Sequence, residues 1–206
     1  MRFDAYRVGG ISAIKFSLAR QVLPLLEYCS QVWSPGRLGL IRMIEAVQRS
    51  YTSRIEGLSN LNYWDRLSEL GLYTLERRRE RYALIYIYKI IRGFVPNIPN
   101  DKYKILTYDS LRRGRLCRIP ELNRNSLLRY QTLSENSFAI KAPRLFNSLP
   151  RDLRNLDGDI DLFKKNLDLL LCAIHDRPSL PQYNQSADGN SIIHQTAQMR
   201  AEGLYL

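Results

Sequence analysis

The chain has 206 residues, 45% of them apolar and 25% charged, a composition ordinary for one globular core or for a core with a tail. Lys and Arg number 31 against 20 Asp and Glu, and the resulting formal charge of +11 favours phosphate backbones or acidic surfaces as partners. Arg2, Asp4, Arg7, Lys15 and Arg20 break up the first turns and exclude a secretory leader there, and the most apolar runs, 82–91 and 167–174, fall well short of the roughly 20 residues of a membrane span.

The first 96 residues read as helices. Helix formers fill 11–32, where Pro24 is expected to kink the segment or start a new helix because it lacks an N–H and clashes with the preceding turn. Ser34-Pro35-Gly36 ends it. Between about Leu38 and Ile55, Leu40, Ile44, Val47 and Tyr51 recur at helical spacing as one apolar stripe, expected to face the core, with Arg42, Glu45 and Arg49 on another face. Asn62 is placed to cap a short helix that Gly71 ends, and Thr74 to cap a longer one running to Gly93.

The middle, 97–136, has no sustained period and holds a basic cluster at Arg112, Arg113, Arg115 and Arg118; it reads as a loop-rich connection with a short hairpin at most. Phe138 and Ile140 alternate with small or polar neighbours, the pattern of a brief strand over Ser137–Lys141, and helix returns after Pro143. Phe163, Leu167, Leu170 and Ile174 repeat at helical spacing behind Asp159 and Asp161, whose charges suit a helix N-terminus. Residues 177–206 read as a mobile tail with a weak helix over Ser191–Glu202. The fold class expected is mainly α: a helical part over 1–96, a basic connection, a strand and helices over 137–176, and the tail.

Arg77, Arg78, Arg79 and Arg81 crowd the first turns of the Thr74 helix, where the macrodipole already presents partial positive charge and each isolated basic residue is unfavourable by roughly 0.3–1 kcal/mol. Glu76 and Glu80 compensate in part, and an external phosphate would do so more fully. Arg77, Arg81, Tyr88 and Arg92 share a face, so a basic track with an aromatic on it is available for a nucleic-acid backbone; the same arginines can equally form salt bridges to neighbouring helices. Arg112, Arg113 and Arg115 are the loop counterparts able to reach phosphates bidentately. Tyr63 and Trp64 suit base stacking less than core packing, since Leu67 and Leu70 follow at helical spacing.

No metal or cofactor is expected for this chain. Asp157, Asp159 and Asp161 open like a calcium loop, but Leu162 stands where that loop needs Gly and Asp168 where it needs Glu. Cys172 and His175 lack two further ligands for zinc. Cys29, Cys117 and Cys172 form no Cys-x-x-Cys pair and read as reduced, buried thiols of an intracellular protein, cytoplasmic or nuclear. With two histidines and no Ser or Cys beside either, a hydrolytic triad has no support.

Several uncommon phrases occur in one order: Glu27-Tyr28-Cys29-Ser30 with Trp33-Ser34-Pro35, then Glu45-Ala46-Val47-Gln48-Arg49, Tyr63-Trp64-Asp65-Arg66-Leu67, Arg77 to Tyr82, and Pro143-Arg144-Leu145-Phe146-Asn147-Ser148-Leu149-Pro150 leading to Phe163-Lys164. Over about 18–183 this resembles the region that follows the polymerase core in reverse transcriptases of non-LTR (LINE-type) retrotransposons. The resemblance implies a thumb-like helical part that holds an RNA or DNA template and primer, within an RNA-directed DNA polymerase that uses Mg. The catalytic aspartates of the palm have no counterpart in the sequence. Neither do the N-terminal endonuclease and C-terminal zinc knuckle of some relatives, and residues 1–10 match nothing in the family, as expected of an accidental start in a truncated element copy. The implied product is a non-catalytic fragment without a small-molecule substrate. The alternatives are a protein-interaction domain, a relic reading frame without selected function, and a shortened gene model of a full polymerase.

Overall fold

The computed structural model describes residues 18–95, 137–156, 158–176 and 190–203. Among them are nine α-helices and no strand. A π-helical turn, Leu18–Val22, runs into α1, Leu23–Glu27, with Pro24 in the first turn, where its missing N–H breaks no helical bond. Cys29, in the left-handed region at φ 51°, separates α1 from α2, Ser30–Trp33. Next come α3, Leu38–Thr52, and α4, Tyr63–Leu70, followed by α5, Leu75–Ile91. The second half supplies α6, Phe138–Ser148, and α7, Arg151–Arg154. It closes with α8, Ile160–Ala173, and α9, Ile192–Ala201.

The caps expected of Asn62 and Thr74 are in place, and Asp159, expected to bring negative charge to a helix N-terminus, also acts as a cap. Asn62 accepts the Asp65 N–H at 3.0 Å, Thr74 Oγ1 the Arg77 N–H at 3.1 Å, and Asp159 the Asp161 N–H at 2.8 Å. Gly71 and Gly93 take positive φ, 60° and 73°, just past the ends of α4 and α5.

Helix α5 is the hub: α1, α2, α3, α6 and α8 all pack on it. Its C-terminal half, with Leu84, Ile87 and Tyr88, joins α6 to α9 in one apolar cluster, where Tyr88 stacks on Phe163 with ring centroids 4.0 Å apart. A second cluster gathers Leu23, Ile55, Leu58, Tyr63, Leu67, Leu70 and Leu75 around α4. Each fully buried Leu or Phe contributes about 1.5–3 kcal/mol.

Three expectations change. Ser137–Lys141 is not a strand: Ser137 precedes α6, which continues through Pro143. Pro143 removes one helical hydrogen bond, at a cost of about 3 kcal/mol in a helix interior, yet Ala142, Leu145, Phe146 and Leu149 follow helical spacing and are buried, and that burial sets the conformation. Second, the stripe of α3 faces the core only in part: Ile44 and Tyr51 are half-buried against the second cluster, and the other two are not. Leu40 and Val47 are 47% and 43% exposed, whereas Ile41, Glu45, Gln48 and Thr52 are buried, because Glu45 and Gln48 supply acceptor and donor groups to the start of α5 and the turn before it. Third, the helix expected over Ser191–Glu202 is present as α9, but it belongs to no mobile tail, since Ile192 and Thr196 are fully buried where it docks on α6 and Asn190 is 1% exposed. The loop-rich connection and its hairpin lie outside the described residues.

Candidate nucleic-acid interface

The arginines at the start of α5 are compensated from within the protein. Two carboxylates meet its N-terminus: Glu45 of α3 accepts the Leu75 N–H at 3.0 Å, and Asp176, just past α8, accepts the Thr74 N–H at 2.7 Å and its hydroxyl at 2.8 Å. They supply the negative charge the macrodipole calls for, in the place proposed for an external phosphate.

Arg77 has no exposed surface. Its Nη2 donates to the carbonyls of His175 and Asn190, at 3.2 and 3.1 Å, and to Gln195 Oε1 at 2.6 Å, while its Nε lies 3.8 Å from Asp176. Arg78 is bonded to Glu27. Arg81 grips Asp168 of α8 through two hydrogen bonds, 2.6 and 2.8 Å, the fork geometry that makes guanidinium–carboxylate pairs strong. Arg92 donates to the Leu156 carbonyl and lies 5.4 Å from the Tyr88 ring, and Tyr88 is itself fully buried. The track of Arg77, Arg81, Tyr88 and Arg92 is therefore taken up by the fold: Arg77 and Tyr88 are buried and out of reach of a phosphate, and the half-buried Arg81 and Arg92 are engaged by protein groups. Arg112, Arg113 and Arg115 lie outside the described residues.

Glu80, one turn on from Glu76, accepts the Ile192 N–H and the Ser191 hydroxyl, each at 2.8 Å, so it caps α9. Burial opposes its ionisation, but Lys141 at 3.2 Å together with those two donors holds the carboxyl below the usual carboxylate range. Glu76 behaves oppositely: burial, then the charge of Glu80, pushes it up to about 7. Burial likewise pushes Glu45 up to about 7, against the opposing 2.5 Å hydrogen bond from Tyr63.

Tyr63 is buried and Trp64 packs against the second cluster, so both serve the core. Cys29 and Cys172 are exposed, contrary to the buried thiols expected, and the Cys172 Sγ lies 3.3 Å from the Tyr73 hydroxyl. Among the described residues no three His, Cys, Asp or Glu side chains come together as a metal site, and no helix is long and apolar enough to cross a membrane. The contributions of Glu45, Asp176 and Asn190 went unread in the sequence, because each acts on a helix far from its own position in the chain.

Neither protein-family models, curated proteins nor solved structures yielded a match to this chain.

Proposed function

We propose that the chain is the non-catalytic, thumb-like part of a retrotransposon RNA-directed DNA polymerase, binding the backbone of nucleic acid without sequence preference and adding no nucleotide by itself. The observation that supports this reading is where the positive charge remains. The arginines of α5 are matched inside the fold, so the surplus behind the +11 charge rests on exposed Arg37, Arg54, Arg151 and Lys165 and on the basic cluster at Arg112, Arg113 and Arg115. The phrases shared with LINE-type enzymes supply the kind of nucleic acid, an RNA or DNA template and primer. Phosphate contact accordingly falls to that cluster and not to α5.

The test is fluorescence anisotropy on duplex DNA across a salt series. Each neutralised phosphate adds about −0.9 to the slope of log K against log salt, so replacing Arg112, Arg113 and Arg115 by Gln flattens the slope by about two to three units. Arg81→Gln leaves it unchanged, since Asp168 already occupies that guanidinium. No binding at low salt, or a slope indifferent to the triple change, sinks the reading.

A second reading, a protein-interaction module, is favoured by one observation: Leu25, Tyr28 and Val32 are 76–85% exposed, and Met43 on α3 is 69% exposed. Apolar side chains this open on consecutive helices suit a partner surface. Pull-down of a protein partner lost on Met43→Lys, with nucleic-acid binding absent, would put this reading first.

A further inference from the structure

Helix α3 has its polarity inverted. Its inner side buries Glu45, Gln48 and Thr52 beside Ile41, while its outer side presents Leu40, Met43 and Val47 at i, i+3 and i+7, all exposed. A helix that packs on its own core alone turns such residues inward. Exposed aliphatic side chains scattered singly mean little, but these three adjoin one another on one side of the helix.

The rest of that side is small. Gly39 and Ser50 stand on it, both exposed, and a Cβ added at Gly39 would meet nothing within 4 Å, so no packing inside the chain requires the glycine. Low positions beside large ones let a second helix approach to the separation of packed helices, about 8–10 Å between axes.

Charge selects the partner. From Arg37 to Arg54 there are four arginines and one acid, Glu45, which is buried; Arg37 and Arg54 are exposed, and Arg49 is half-buried at the flank of the outer face. The segments outside the described residues lack the complementary sign, since basic residues outnumber acidic ones in 1–17 and 96–136 and only balance them in 177–189. A second copy, itself at +11, brings the same arginines. A nucleic-acid backbone offers no counterpart to an aliphatic stripe, and a bilayer favours protruding Trp, Phe and Leu over a face recessed at Gly39 and Ser50.

We propose that the outer face of α3 docks one amphipathic helix of another protein, whose apolar stripe meets Leu40, Met43 and Val47 and whose carboxylates lie along the edge facing Arg49. This rests on the partner-surface reading given above, to which it adds the face used and the partner's chemistry, and it is independent of any phosphate grip.

The methyl group of Met43 reports on the face. With the methionines of the full chain labelled by carbon-13 at their methyl groups, a synthetic amphipathic helix of Leu, Ala and Glu is expected to shift the Met43 signal and leave that of Met199, on α9, in place. It binds at least about fivefold tighter than the same peptide with Lys for Glu, as a few exposed ion pairs provide. Arg49→Glu reverses that preference. Gly39→Leu, which meets open space in the fold, keeps the unfolding midpoint and weakens peptide binding. Equal binding of the Glu and Lys peptides, or a Met43 signal that neither moves, overturns the proposal. So does a Met43 signal moved by dilution, by phosphatidylserine vesicles or by duplex DNA, which would assign the face to a second copy, a membrane or the phosphate grip. Capture of a protein through Met43 with no preference for the acidic peptide overturns the acidic helix and leaves the partner-surface reading standing; where neither is seen, both fail.

Discussion

Glu45, in the middle of α3, accepts the backbone N–H of Leu75 at 3.0 Å, so that one helix is capped by a carboxylate from the side of another. The carboxyl is 2% exposed and burial pushes it up to about 7, as burial does for Glu76.

Stability should therefore fall as pH rises through neutrality. The folded-state value of both groups lies above the ordinary 4.5, so the folded state binds the protons more tightly and the stabilisation present at low pH is lost through about 7. Between pH 6 and pH 8 the expected loss is on the order of 1 kcal/mol per group, read as a falling urea midpoint. Glu45→Gln, which keeps an acceptor for Leu75, should remove about half of that slope; an unchanged slope would show that Glu45 does not titrate there.

Which face of α3 is buried can be read from two aspartates. Val47→Asp places a charge at a side chain 43% exposed and should change stability by no more than about 0.5 kcal/mol. Ile41→Asp, at a position 7% exposed, should cost more than about 3 kcal/mol or prevent folding. Thermal unfolding of the two variants checks the ranking, and a reversal would restore the sequence-based stripe.

The Arg81–Asp168 pair should couple measurably. A double-mutant cycle with alanines is expected to give about 1 kcal/mol, since the bidentate geometry strengthens the pair and its partial exposure limits it. Zero coupling would mark the pair as incidental.

Helix α9 should be protected from hydrogen exchange. The Ile192 N–H is held by Glu80 and its side chain is fully buried, so its exchange should require opening of the core rather than fraying. Exchange at the rate of a free chain would return 190–203 to the mobile tail.

What the sequence disclosed was local. The caps at Asn62 and Thr74 and the glycine stops at Gly71 and Gly93 act on residues no more than four positions away, and those two helices begin and end where expected. Arg77 shows the limit: its partners stand 98 to 118 residues along the chain, and no spacing rule links them. In α3 the period was legible and the buried face only in part: Ile44 and Tyr51 pack on the core as expected, whereas Leu40 and Val47 yield to Glu45 and Gln48, which have partners on the next elements. In α6 five alternating residues competed with the longer period of Ala142, Leu145, Phe146 and Leu149, and the longer pattern prevailed. For Arg81 the alternative of salt bridges to a neighbouring helix is the one the fold adopts.

The hydrogen bonds joining Thr74 to Asp176 and Glu80 to Ile192 each close more than 100 residues of chain. Loops of that length must form before such contacts contribute, which slows folding, because the closure entropy precedes the gain. The start of α5 thus acquires Asp176, the second of its two capping carboxylates, only when the chain past α8 arrives. Shortened chains ending before Asp176 would leave Arg77 buried without Asp176, Asn190 or Gln195, so the helices before residue 96 are expected to refold as part of a larger cooperative unit and not as an autonomous module.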